Sequence, residues 1–147
     1  MAYTSQVLVE YAVGGAAVLV QLLDKTGDGV IDAGLMTDVL ARADAEVNSA
    51  IQVAVQLPLA TTPDAVKYAA TDIAAFIAFQ YGTSSMGVPE QVRSRYEAAL
   101  RWLDDVATRK RTVGTAVKPP TDQQVQQVNV EPYSAGTSIR DALKGFW

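Results

Sequence analysis

Apolar residues recur at three- and four-residue steps through most of the first 111 positions, a period that predicts helices rather than strands. Four helical segments follow from it. The first runs from about Thr4 to Leu23, with Thr4 or Ser5 as its cap. Gly14-Gly15 interrupts it, because adjacent glycines keep a backbone freedom that a helix must remove, and the segment should split into two short helices. The second runs from about Asp32 to Val55. Leu35, Val39, Ala43, Val47, Ala50, Ile51 and Ala54 share one face of it, and Asp32 is placed to accept from the free N–H groups of its first turn. "LPLATTP" then requires an extended connector, since Pro58 and Pro63 each disfavour helical backbone in the residue before them.

Pro63 opens the third segment, at the first-turn position that proline tolerates. "AVKYAATDIAAFIAFQY" is apolar nearly all round, the pattern of a helix central to a bundle or sandwiched between subunits. Phe76 and Phe79 are therefore assigned to the core or to an oligomer interface. "GTSSMG" is a loop, and Pro89 opens the fourth helix. Its core stripe is Val92, Tyr96, Ala99, Leu103 and Val106, with Trp102 beside it as partial core or interface. Arg93, Glu97, Arg101 and Asp105 alternate in sign along another face. No strand is compelling before residue 112. The fold class is all-α: a bundle of about four helices over residues 1–114, followed by an extended C-terminal arm, 115–147.

The arm differs in composition. Pro119-Pro120, the glutamine repeats and few large apolar residues place it outside the core. Val125, Val128 and Val130 would support a strand only on an edge supplied by another chain. "TSIRDALKGFW" reads as one or two amphipathic turns carrying Ile139, Leu143, Phe146 and Trp147. Two readings stand: this end binds a partner, or it folds back on its own bundle.

Composition narrows the chemistry. The 147 residues, 49% hydrophobic and 19% charged, suit a globular chain of one domain. No histidine is present, so the commonest general base and metal ligand is absent. Cysteine is absent too, which excludes disulfides and thiolate metal sites. The first residues lack the basic start of a signal peptide, and "AVGGAAVLVQLL" is too short and too glycine-broken to span a bilayer. The formal charge of −4 divides into −7 over residues 1–91 and +3 over residues 92–147. Such polarity suits head-to-tail stacking, or is an ordinary solvated surface.

"LLDKTGDGVID" is the one stretch with metal-site spacing. Counted from Asp24, a calcium loop would take oxygens from Asp24, Thr26, Asp28, the Val30 carbonyl and Asp32, with Gly29 at the turn. The last position falls on Leu35, where the motif needs a bidentate glutamate. The expectation is a turn and helix cap, with weak calcium binding at most and no other cofactor. Enzyme motifs are absent: no G-x-S-x-G, no phosphate loop, no dinucleotide turn. Asp104-Asp105 point to different helix faces, so they make no acid–base pair. Arg109, Lys110 and Arg111 complement a helix C-terminus, or contact phosphate. No catalytic residue is assigned.

"LLDKTGDGVID" before the long second helix, "LPLATTP" between helices and "SRYEAALRWLDDVATRK" on the last helix occur in one order. In that combination the chain resembles the small Mu-like tailed-phage neck proteins, the helical head–tail adaptors, over about residues 5–114. The resemblance implies a subunit of a dodecameric ring in the virion neck. It would sit beneath the portal protein, against neighbouring subunits and the next neck or tail protein, with DNA passing through the lumen without specific binding. The tail after Gly114 lies beyond what the resemblance covers. A calcium-responsive helical binding module built on the acidic loop at residues 24–35 is the rival reading.

Overall fold

The computed structural model describes residues 2–82 and 87–114. Five helices occupy them: α1 (Gln6–Val13), α2 (Ala16–Leu23), α3 (Ala33–Ile51), α4 (Asp64–Tyr81) and α5 (Glu90–Ala107). No β-strand occurs among the described residues, so the all-α class holds. The arm from residue 115, with Ile139, Leu143, Phe146 and Trp147, and the suggested strand at Val125, Val128 and Val130 lie outside the described residues, as does most of the "GTSSMG" loop.

The first segment does divide at the glycine pair. Gly14 and Gly15 have φ of 107° and 126°, a region that side-chain-bearing residues rarely enter. The chain turns there by 98° between α1 and α2. No single helix among the described residues is long and apolar enough to cross a membrane; α1 and α2 together have the composition but carry that bend. Ser5 occupies the N-cap of α1 without a side-chain bond. The Thr4 hydroxyl goes instead to the buried Thr71 hydroxyl of α4, at 2.7 Å. Thr71 itself donates to the Lys67 carbonyl at 2.8 Å, so Thr4 is the donor in that pair.

Asp32 caps α3 as its position predicts, accepting from the N–H groups of Gly34 and Leu35. The buried face of α3 is Met36, Val39, Ala43, Val47 and Ile51, with Leu35 and Ala50 half-buried at its margin. Pro63 and Pro89 stand at the N-cap positions of α4 and α5, one residue earlier than the first-turn position expected of them. Along α5 the buried residues are Val92, Ala99, Leu103 and Val106. Tyr96, on the same stripe, is half-buried, with its ring stacked on Phe76 at 4.0 Å between centroids and 4° between planes.

Helix α4 is the centre of the bundle. It packs against α1, α2, α3 and α5. Val66, Ala69, Ala70, Thr71 and the buried runs from Ile73 to Ala75 and Ile77 to Phe79 line its core-facing sides. Short alanine side chains let four neighbouring helices approach one axis, which explains why the helix is apolar on so many sides. Phe79 is thus a core residue of the single chain, while Phe76 and Trp102 are half-buried and packed on the core's edge.

Gly82 follows α4 under equal constraint: a Cβ there would meet Leu22 Cδ2 at 2.3 Å. Leu22 is itself fully buried, so it has little room to yield. Gly82→Ala is expected to cost about 1–3 kcal/mol by overpacking. Phe79→Ala should cost about 3–5 kcal/mol through the cavity it leaves, and Phe76→Ala distinctly less because Phe76 retains solvent contact. Chemical denaturation of the three variants checks the order; a Phe79 variant as stable as the parent would mean that α4 is not the core helix.

Candidate functional site

The acidic loop is built as a turn. Asp24 accepts the N–H of Gly27 at 2.6 Å and of Gly29 at 2.8 Å, and the Thr26 hydroxyl at 3.2 Å. Those donors hold the Asp24 carboxyl below its usual pKa, with Gly29 the largest cause. Asp28 accepts from the Val30 N–H at 3.0 Å, and Asp32 from the first turn of α3. All three carboxylates therefore serve local backbone. Among the described residues no three acidic side chains converge as a metal cage would require.

Lys25 also ties the loop to α4, because its ammonium donates to the Tyr81 carbonyl at the end of that helix, 2.6 Å away. A cation at a helix C-terminus is favourable because it meets unpaired carbonyls. Beside it, the Tyr81 hydroxyl donates to Asp38, whose carboxylate also meets Arg42 at 3.1 Å, and the Arg42 guanidinium lies 5.3 Å from the Tyr81 ring. The hydrogen bond to Asp38 is the main reason that the Tyr81 phenol titrates above its ordinary value.

The basic cluster after α5 is also largely engaged. Arg109, the one described non-glycine residue with positive φ (60°), donates to the Val53 carbonyl at 3.3 Å. Arg111 pairs with Asp105 at 3.3 Å. Among the described residues no ion pair joins Arg93, Glu97 and Arg101 into the ladder that their spacing suggests. The pairing that crosses helices is Arg95 with Asp72, at 3.7 Å.

That pair lies in a cleft of about 400 Å³ between α1, α4 and α5. Leu8, Tyr11, Ala12 and Tyr68 form its walls, with Thr71, Asp72 and Arg95 within. The Arg95 guanidinium also donates to the Ala12 carbonyl at 2.5 Å, tying α5 to the end of α1. Its Nε is buried with no acceptor among the described residues. Tyr11 is 80% exposed and Tyr68 64%, with Val7 nearby in sequence on α1 at 56%. Exposed tyrosines around a half-buried arginine are the residue types enriched at protein interfaces. Sequence reasoning passed over this cleft because Tyr11, Tyr68 and Arg95 belong to three separate helices. The one signal in the sequence was Tyr68 and Asp72, four residues apart on an otherwise apolar helix.

The cleft thus has the residue types of a contact surface. The family profile described as Bacteriophage Mu, Gp36 matches residues 4–131. The chain belongs to that family. Among curated proteins, none matches. The Mu Gp36 match makes this a phage-type protein, and it also corrects the extent of the resemblance. The family pattern reaches past Gly114 to residue 131, so the first half of the arm is part of it.

Burial raises the carboxyl pKa of both Asp72 and Asp44, opposed at Asp72 by Arg95 and at Asp44 chiefly by the Tyr3 N–H. A carboxyl with a raised folded-state pKa withholds stability at neutral pH. That stability returns as pH falls through the raised value toward the ordinary 3.8. The Asp24 contribution has the opposite sign and is lost only as pH falls below 3.8. Thermal melts should therefore rise modestly from neutral pH toward the carboxylate range, then fall in stronger acid. Asp44→Asn with Asp72→Asn should flatten the rise, and melts that decline steadily from pH 7 would contradict it. Calorimetry with calcium should find no micromolar site, whereas micromolar heat abolished by Asp24→Asn would restore the calcium-loop reading.

Proposed function

We propose that this protein is a structural head–tail adaptor of a tailed bacteriophage. In this reading, copies pack side by side into a ring. The ring seats beneath the portal, receives the next neck or tail protein, and continues the DNA channel from capsid to tail. Its place would be the virion neck, after synthesis in the host cytoplasm.

The observation that carries this reading is membership of the bacteriophage Mu Gp36 family over residues 4–131. Two physical features support it. The bundle is closed around α4, so its chemistry is displayed on surfaces, and the cleft between α1, α4 and α5 holds aromatic walls and one acid–base pair. The charge is polarised, −7 over residues 1–91 and +3 over residues 92–147, which suits contact between unlike faces of identical copies. A net charge of −4 also suits a channel, since passing DNA must not be held by counterion release on a basic wall. The protein acts on this account without a catalytic centre or cofactor, and the arm's aliphatic and aromatic end engages the portal or an adjacent subunit on assembly.

Light scattering after size exclusion tests the proposal, with the protein alone, with calcium, and with purified portal. A ring mass, alone or on portal and unaffected by calcium, is the expected result, and that mass gives the subunit number. A monomer in every mixture would contradict it, and a mass that changes only with calcium would favour the binding module.

A further inference from the structure

Among the described residues nothing covers the cleft between α1, α4 and α5, and its walls predict what does. Tyr11 and Tyr68, 80% and 64% exposed, project from two different helices on either side of the half-buried Asp72 and Arg95. Leaving such aromatic surface in water forgoes roughly 25 cal/mol for each Å² that could be covered. A volume of about 400 Å³ is in the range that accepts compact apolar groups, roughly 300–1,000 Å³. Charge is incompletely matched there as well: among the described residues the cation paired with Asp72, Arg95, stands at 3.7 Å, beyond the roughly 2.7–2.9 Å of a close pair. The two helices that carry those tyrosines, α1 and α4, hold three acids, Glu10, Asp64 and Asp72, against one base, Lys67.

We infer that in the unassembled protein this cleft is the seat of the chain's own C-terminal segment, residues 139–147. Three features of that segment meet the cleft's chemistry. Ile139, Leu143 and Phe146 recur at helical spacing and form one apolar stripe, with Trp147 beside it. Arg140 and Lys144, four residues apart, fall on one flank of the stripe and bring cations to Asp72. The connection is also long enough. Arg95 lies about 18 Å along α5 from Ala107, whereas the 25 residues from Gly114 to Ile139 can span up to about 80 Å. A tether of that length holds its end at an effective concentration of the order of millimolar, which favours the same chain over a second copy in dilute solution. The inference does not depend on the ring or the portal, because it concerns the single chain.

The test uses the full-length chain with Trp102→Phe, which leaves Trp147 as the sole tryptophan. Iodide quenching of Trp147 should be several-fold weaker than that of a free tryptophan amide, and Tyr68→Arg should remove most of the difference while circular dichroism stays unchanged. Quenching equal to the free amide would overturn the inference. A second measurement does not depend on Tyr68. Full-length protein carrying a photo-crosslinking phenylalanine at Tyr11 is irradiated as an equal mixture of heavy and light isotope forms. Crosslinks from position 11 to residues 139–147 within one isotope form are expected. Mixed-isotope crosslinks would show that a second copy fills the cleft, and an absence of crosslinks to residues 139–147 would leave it without this occupant; either result overturns the assignment.

Discussion

The burial of α4 is the constraint on which the rest of this fold depends. A helix whose alanines, isoleucines and Phe79 face inward on several sides cannot be satisfied by one neighbour. It needs α1, α2, α3 and α5 around it, and the chain supplies them by local devices at defined places. Gly14-Gly15 swings α2 by 98° so that Leu19, Leu22 and Leu23 join the core. Gly82 admits Leu22 against the end of α4. Lys25, from the loop that follows α2, then covers a carbonyl of the last turn.

The same closure directs function outward. With the interior filled, polar chemistry is left to the loop of residues 24–32, the segment after α5 and the cleft at Arg95. In the first, carboxylates hold backbone; in the second, Arg109 and Arg111 hold a carbonyl and a carboxylate. Of these three, the cleft combines exposed aromatic surface with charges less than fully matched.

What was legible in the sequence was whatever is decided within a turn or two. The glycine break, the Asp32 cap, the connector at Pro58 and Pro63 and the inward faces of α3 and α5 all rest on neighbours close in the chain. What was not legible depends on distant partners. Thr4 looks like a cap but bonds Thr71, because the start of the chain packs against α4 and a buried hydroxyl must find a partner. Arg95 is invisible beside the regular Arg93–Glu97–Arg101 spacing, yet it alone of these reaches an acid on another helix. Lys25 stands within a stretch that invites reading by its aspartates, and its partner lies 56 residues away.

Native-state hydrogen exchange on the full-length protein tests the central claim most directly. If α4 is the element around which the others are organised, the amides from Ile73 to Phe79 will exchange only through global unfolding, with protection matching the stability measured by denaturation. The ends of α1 and the loop at residues 24–32 will open at lower free energy. Exchange of the α4 amides through local opening, faster than those of α3 or α5, would contradict the account.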